Sequence, residues 1–292
     1  MNKLKLSAVV TPEVQGDEQF FARKARSNDF DGLMNPIIGF DHFELTHDVY
    51  GPQPHAGMSV LHYVFENSAP FQSLDSKGNN TVITPGSLNW SYAGKGIVHS
   101  EFPVTEGTNV EGLQLFVNSS AAKKQDNPKS LVIDKAQIPE IKEEGLRVRV
   151  VCGKTGNTEN KIETPDSLTI LHVFLKAGKE FSHQLNAQWS GTVLAVEGFF
   201  DFITNQSTTE LEEGMVISMA GSDLEEPLKF IGITNSELLF ISAEPLDEPS
   251  FSKGAFVMES ELALSQAVAN FENGKMGFIE VKGKTRKVIK PV

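Results

Sequence analysis

Apolar residues along this chain come in short runs of four to eight, rich in β-branched and aromatic side chains and separated by Gly, Pro, Asn and Asp. That rhythm is the one expected of half-buried strands joined by tight turns, and few stretches hold helical periodicity. It predicts strands at 59–65, 81–84, 88–92, 97–102, 113–118, 146–152, 168–175, 191–196, 199–203, 215–219, 228–233 and 237–243. Ser76-Lys77-Gly78-Asn79, Thr84-Pro85-Gly86, Ala177-Gly178-Lys179 and Glu213-Gly214 supply the Gly or Pro that backbone reversals need. The fold class is therefore all-β, a sandwich or barrel.

Residues 119–144 break the rhythm, being polar and charged with two prolines, and read as a linker or crossover. The chain then divides into halves, 1–130 and 131–292. The halves share a weak likeness, because 84–94 and 212–222 both place a Gly turn before an alternating strand, as a duplicated barrel would. One helix is expected at 260–272 on the outside of a barrel. Leu264, Ala267, Val268 and Phe271 fall at helical spacing, with Ser260 as N-cap and Gly274 as C-terminal stop.

Composition narrows the chemistry. With 26 Lys and Arg against 38 Asp and Glu, the net charge of −12 repels phosphate backbones and anionic membranes, which disfavours direct nucleic-acid or membrane binding. No apolar run approaches the ~18 residues of a spanning helix, and the N-terminus has no secretory pattern, so a cytoplasmic location is expected. The single cysteine, Cys152, excludes an internal disulfide, a Cys-based zinc knuckle and an iron–sulfur cluster within one chain. Any metal must be held by His and carboxylate. Five of the seven histidines, His42, His47, His55, His62 and His99, lie in the first hundred residues, which places such a site in the N-terminal half.

Two local pairs stand out there, Gln53-Pro54-His55 and His99-Ser100-Glu101. Side chains at i and i+2 of a strand share a face, so each pair offers two polar groups in one direction. Without the Gln, His55, His99 and Glu101 make the two-His, one-carboxylate set associated with non-haem Fe(II) and open coordination positions. An inward Glu101 beside two histidines favours a cation over an unpaired buried charge. The odd separation of His62 from His55 puts it on the opposite strand face, as a packing or surface residue, unless a bulge intervenes at Gly57. His42 and His47 fall in a loop toward the pocket mouth and read as exposed loop residues, with folding over of one of them as a further ligand the alternative. Trp90, Tyr92, Tyr63, Phe65 and Phe116 read as core aromatics, and Cys152 as a small buried hydrophobe.

The stretches NPIIGFDHF (35–43), GPQPHAG (51–57), DSKGNNTVITPGSLNW (75–90), AGKGIVHSEFP (93–103), GLQLFVN (112–118), AEPLDEPSFSKGAFVM (243–258) and FENGKMG (271–277) together resemble the pirin family of bicupins. The resemblance runs over nearly the whole chain in the family's order. It implies two cupin β-barrels, a single metal, usually iron, in the N-terminal barrel, and a metal-free C-terminal barrel. The family's ligands come from a His-x-His pair and a His-x-Glu pair. His55, His99 and Glu101 occupy three of these positions, while Gln53 stands where the first His is expected, a weaker donor for a first-row metal. Ala56 and Ser59 likewise replace a family Arg and carboxylate.

Two functions follow from the resemblance. One is a quercetin 2,3-dioxygenase-like oxygenase, using Fe(II) or another divalent first-row metal on a flavonol or related enolic aromatic, with Glu101 accepting the substrate proton. The other is a non-catalytic metal- or ligand-binding module that docks on a protein partner, as a transcriptional co-regulator would. A third reading keeps the cavity for a small molecule without metal, with Gln53 as the sign that ligation was lost.

Overall fold

The computed structural model describes residues 2–291 and is almost entirely β-structure, with one α-helix, Glu261–Glu272, and three short 3-10 turns among those residues. The alternating runs form the predicted strands, and Leu88–Tyr92, Leu168–Leu175 and Phe199–Ile203 have the expected limits. Two cupin-type barrels result. In the N-terminal barrel a seven-stranded sheet runs in the order Lys129–Ile133, Leu88–Tyr92, Met58–Val64, Val110–Asn118, Ile37–Leu45, Phe20–Arg26, Val14–Gly16. Its four-stranded counterpart runs Gln53–His55, Ile97–Pro103, Phe71–Asp75, Asn80–Ile83. The supposed linker contributes Lys129–Ile133, paired with Leu88–Tyr92, and Glu140–Glu143, paired with Leu146–Thr155. Its polarity reflects exposed strand faces at the sheet edges, which periodicity cannot tell from a loop.

The C-terminal barrel repeats the plan. Its larger sheet runs Lys5–Leu6, Val216–Ala220, Ser190–Glu197, Ser236–Ala243, Leu168–Leu175, Leu146–Thr155, Glu140–Glu143, and its smaller one Glu180–Leu185, Glu226–Gly232, Phe199–Ile203, Thr208–Glu212. The compact units are interleaved along the chain: residues 1–13, 23–39 and 136–245 form one, and 14–22, 40–135 and 246–292 the other. The tail 246–292 thus packs with the N-terminal barrel. Ala56 forms a bridge with Phe256, and Ser76 Oγ donates to the Met276 carbonyl (2.6 Å) while accepting from Val98 N (3.1 Å). The helix starts at Ser260, whose side chain accepts from Ala263 N, and buries Ala267 in a cluster with Ala56, Val98 and Met276. The tail therefore braces the strand Ile97–Pro103 that carries His99 and Glu101. No helix among the described residues is long and apolar enough to cross a membrane.

Candidate metal centre

Strand parity aims the polar groups inward. Directly opposed residues of an antiparallel pair share a face, and the register sets Gln53 against His99, His99 against Asp75, and Glu101 against Ser73. Gln53, His55, His99, Glu101 and Ser73 therefore stand on one side of the four-stranded sheet. His55, His99 and Glu101 are buried, and Gln53 is half-buried. Asp75 shares that face, but its carboxylate is taken up by Lys77 N, Asn79 N, Asn79 Nδ2 and Ser130 Oγ.

His62 joins this group. One ligand atom each from His62, His99 and Glu101 lie within 4.8 Å of one another, and this is the one such His, Cys, Asp or Glu group among the described residues. The His55 ring centroid is 4.6 Å from that of His99, and the His62 centroid 5.8 Å from it. Counting from His55 misplaces His62 because Gly57, at φ 71°, separates Gln53–His55 from Met58–Val64, and the two strands belong to different sheets. A side chain at Gly57 would also collide with the Val257 carbonyl, 1.9 Å from the added carbon. His62 reaches the cavity from the seven-stranded sheet, while Leu61 and Tyr63 take the other face of its strand. His42 and His47 do not fold in: His42 Nε2 lies 3.1 Å from Glu111 Oε1, and His47 Nδ1 2.9 Å from Thr46 Oγ1. Trp90, Tyr92, Tyr63 and Phe65 are buried as expected, but Phe116 is half-buried with its ring 6.5 Å from His55, so it borders the site.

The electrostatics suit a cation. Ser73 Oγ donates to Glu101 Oε1 (3.1 Å) and accepts from Asn89 Nδ2 (3.1 Å), an outer shell that fixes the carboxylate. Burial pushes the Glu101 carboxyl up, but His99, His62 and the Ser73 hydroxyl outweigh it and hold the group below its usual range. Burial, then His99 and His62, hold His55 well below its ordinary value; burial takes His62 to about 4, with Glu101 opposing and His99 reinforcing that shift. Neutral imidazoles at His55 and His62 beside an ionised carboxylate are ligand forms a metal takes.

Both ring nitrogens of His55, both of His99 and Nδ1 of His62 are buried without a hydrogen-bond partner. His99 Nδ1 lies 2.7 Å from Glu101 Oε1, a contact that also helps to hold the carboxyl down. Each orphaned polar atom costs about 1–3 kcal/mol, and a shared cation would engage one nitrogen of each of the three imidazoles beside the carboxylate. Imidazole with carboxylate is a donor set for Fe, Ni, Mn or Zn. Among the described residues the C-terminal barrel has no equivalent: His172 Nε2 is held by Glu237 (2.7 Å) and His183 Nδ1 by Thr155 (3.0 Å). Cys152 is buried with its thiol pushed up to about 12, which makes it inert as a nucleophile or ligand.

Comparison with known proteins gives a consistent picture. Residues 21–117 match the family model described as Pirin, and residues 170–277 that of the Pirin C-terminal cupin domain. A pirin-like protein of Arabidopsis thaliana is 30% identical over 260 residues, covering 84% of this chain and 81% of the relative. The pirin of Homo sapiens is 28% identical over 258 residues, covering 85% of each. Among solved structures, a quercetin 2,3-dioxygenase from Acinetobacter baumannii superposes with a TM-score of 0.82 at 23% identity, over 95% of this chain and 99% of that one. A bacterial pirin, YhhW from Escherichia coli in complex with nickel(II), gives 0.63 at 14% identity, over 84% and 100%. At those identities the solved structures establish the shared fold.

Proposed function

The chain belongs to the pirin family of bicupins, and from that premise we propose that its N-terminal barrel holds a divalent first-row metal, Fe(II) in the resting enzyme, through His55, His62, His99 and Glu101, and oxygenates a flavonol or related enolic aromatic. The observation that carries the reading is the set of three buried imidazoles, each with an unpartnered ring nitrogen, around one ionised carboxylate. His62 supplies the imidazole that Gln53 lacks, from the opposite sheet. The half-buried Gln53 and Phe116 then lie toward the mouth, where Phe116 offers an apolar face to a flat ring and Gln53 an amide to its oxygens.

A bound metal of this type supplies Lewis acidity toward an enolic oxygen and reactivity toward O2. The chain's part is proton handling and exclusion of water. Glu101 Oε1 is occupied by Ser73, which leaves Oε2 to accept the proton of the substrate hydroxyl. Burial of all four ligating side chains keeps bulk water from competing. The test is metal analysis after anaerobic Fe(II) reconstitution of tag-free protein, followed by oxygen uptake with quercetin. The reading expects about one metal per chain and uptake that Glu101→Gln abolishes. Sub-stoichiometric metal overturns it, and full metal with no uptake across a flavonol panel returns the chain to the non-catalytic binding module.

A further inference from the structure

The C-terminal barrel contains a second polar recess, unconnected with the metal chemistry. Its interior is packed with Phe181, Phe200, Phe202, Phe230 and Phe240. The apolar packing stops at one end. There Thr169 and Ser242 oppose each other directly on Leu168–Leu175 and Ser236–Ala243, and with Thr155, His183, Gln184 and Asn186 they line a cavity of about 200 Å³. Gly153, at φ 75°, leaves open the space that the Thr169 hydroxyl uses, since an added Cβ would sit 2.3 Å from Oγ1.

The hydrogen bonding of this recess is incomplete. Thr169 and Ser242 are 5% and 2% exposed, yet neither hydroxyl has a protein partner among the described residues. His183 packs on Phe240 at 4.7 Å and engages Thr155 through Nδ1, which leaves Nε2 for the cavity. These oxygens face the open recess and not a sealed interior, so their partners come from whatever fills it, and their convergence on one cavity marks a place for a polar molecule. The charges say which kind. Lys154 and Glu225 are the charged lining residues, both exposed and opposite in sign, and the buried groups are hydroxyls and a neutral imidazole. A bound ion would be desolvated with no buried counter-charge, whereas a molecule whose oxygens both donate and accept satisfies every group. We propose that this recess binds a small uncharged polyol, with Thr169, Ser242 and His183 as its hydrogen-bonding floor. The volume lies below that of drug-sized sites and equals that of about seven waters, which suits a chain of four or five carbons.

Amide NMR of the full-length protein titrated with erythritol tests this. The expected result is saturable shifts confined to residues 153–156, 168–170, 183–186 and 241–243. The Thr169→Val/Ser242→Ala double variant should weaken the apparent Kd at least tenfold while the rest of the spectrum is unchanged. If that variant does not fold, Ser242→Ala alone, which removes one oxygen, must still weaken binding several-fold. Linear, non-saturating shifts, unchanged affinity in the variants, or saturation of the same amides by acetate in place of erythritol would overturn the proposal.

Discussion

Burying an imidazole without a partner is unfavourable, and the N-terminal barrel does so with His55, His62 and His99 around Glu101. Removing a coordinating side chain should exceed the ~10–100-fold loss of metal affinity typical of an outer-shell change. His62→Ala is therefore expected to weaken Fe(II) binding by more than ~100-fold, and Ser73→Ala, which only frees Glu101, by ~10–100-fold; competition with a metallochromic chelator measures both. Gln53→Ala should leave affinity nearly unchanged, and a loss as large as that of His62→Ala would contradict the ligand set. His183 makes a separate prediction. Burial takes its pKa from 6.5 to about 4, so between those values the unfolded chain binds the proton that the folded one refuses. Stability thus rises with pH across that window and falls on acidification, by about 3 kcal/mol in all from this group. His183→Gln should flatten that slope in urea titrations at pH 4.5, 5.5 and 6.5. At this scale His55, His99 and Glu101 were legible as a strand-borne set, whereas His62 was not. A Gly at positive φ moves the chain from one sheet to another without a sequence mark that distinguishes it from an ordinary turn.

Elements hold these side chains in place. The Lys124 ammonium is buried and donates to the Gly57 carbonyl (2.8 Å), Asn118 Oδ1 (2.6 Å) and the Val257 carbonyl (2.8 Å), tying the break between the strands that present His55 and His62 to the C-terminal tail. Lys124→Met leaves those acceptors unsatisfied and should cost about 3 kcal/mol or more in denaturant unfolding. A loss below 1 kcal/mol would mean water replaces the ammonium. The apolar runs located strands buried on both faces, such as Leu168–Leu175, and missed Phe71–Asp75 and Glu180–Leu185, whose buried positions include the polar Ser73 and His183. The helix was visible from its spacing and its Ser260 cap.

For the whole molecule, the resemblance gave the fold class, but a cut at 130/131 follows the chain and not the packing. The tail 246–292 belongs with the N-terminal barrel, where Arg286 Nε donates to Ser100 Oγ (3.1 Å), its guanidinium lies 4.0 Å from the Phe102 ring centroid, and it pairs with Asp48. Sequence-distant pairing of this sort carries no local signal, because each partner is an ordinary hairpin or loop by itself. Arg286→Ala should loosen the strand that presents His99 and Glu101, raising hydrogen exchange across 97–103 and weakening metal binding less than His62→Ala does. Unchanged exchange there would remove the tail from the account of the site. The central claim is that this barrel coordinates a metal through a His drawn from each sheet. Anomalous diffraction from crystals of Fe(II)-loaded protein tests it most directly. The account predicts one iron peak bounded by His55, His62, His99 and Glu101 with Gln53 outside the coordination shell; a peak that includes Gln53 and excludes His62, or no peak in the barrel, would contradict it.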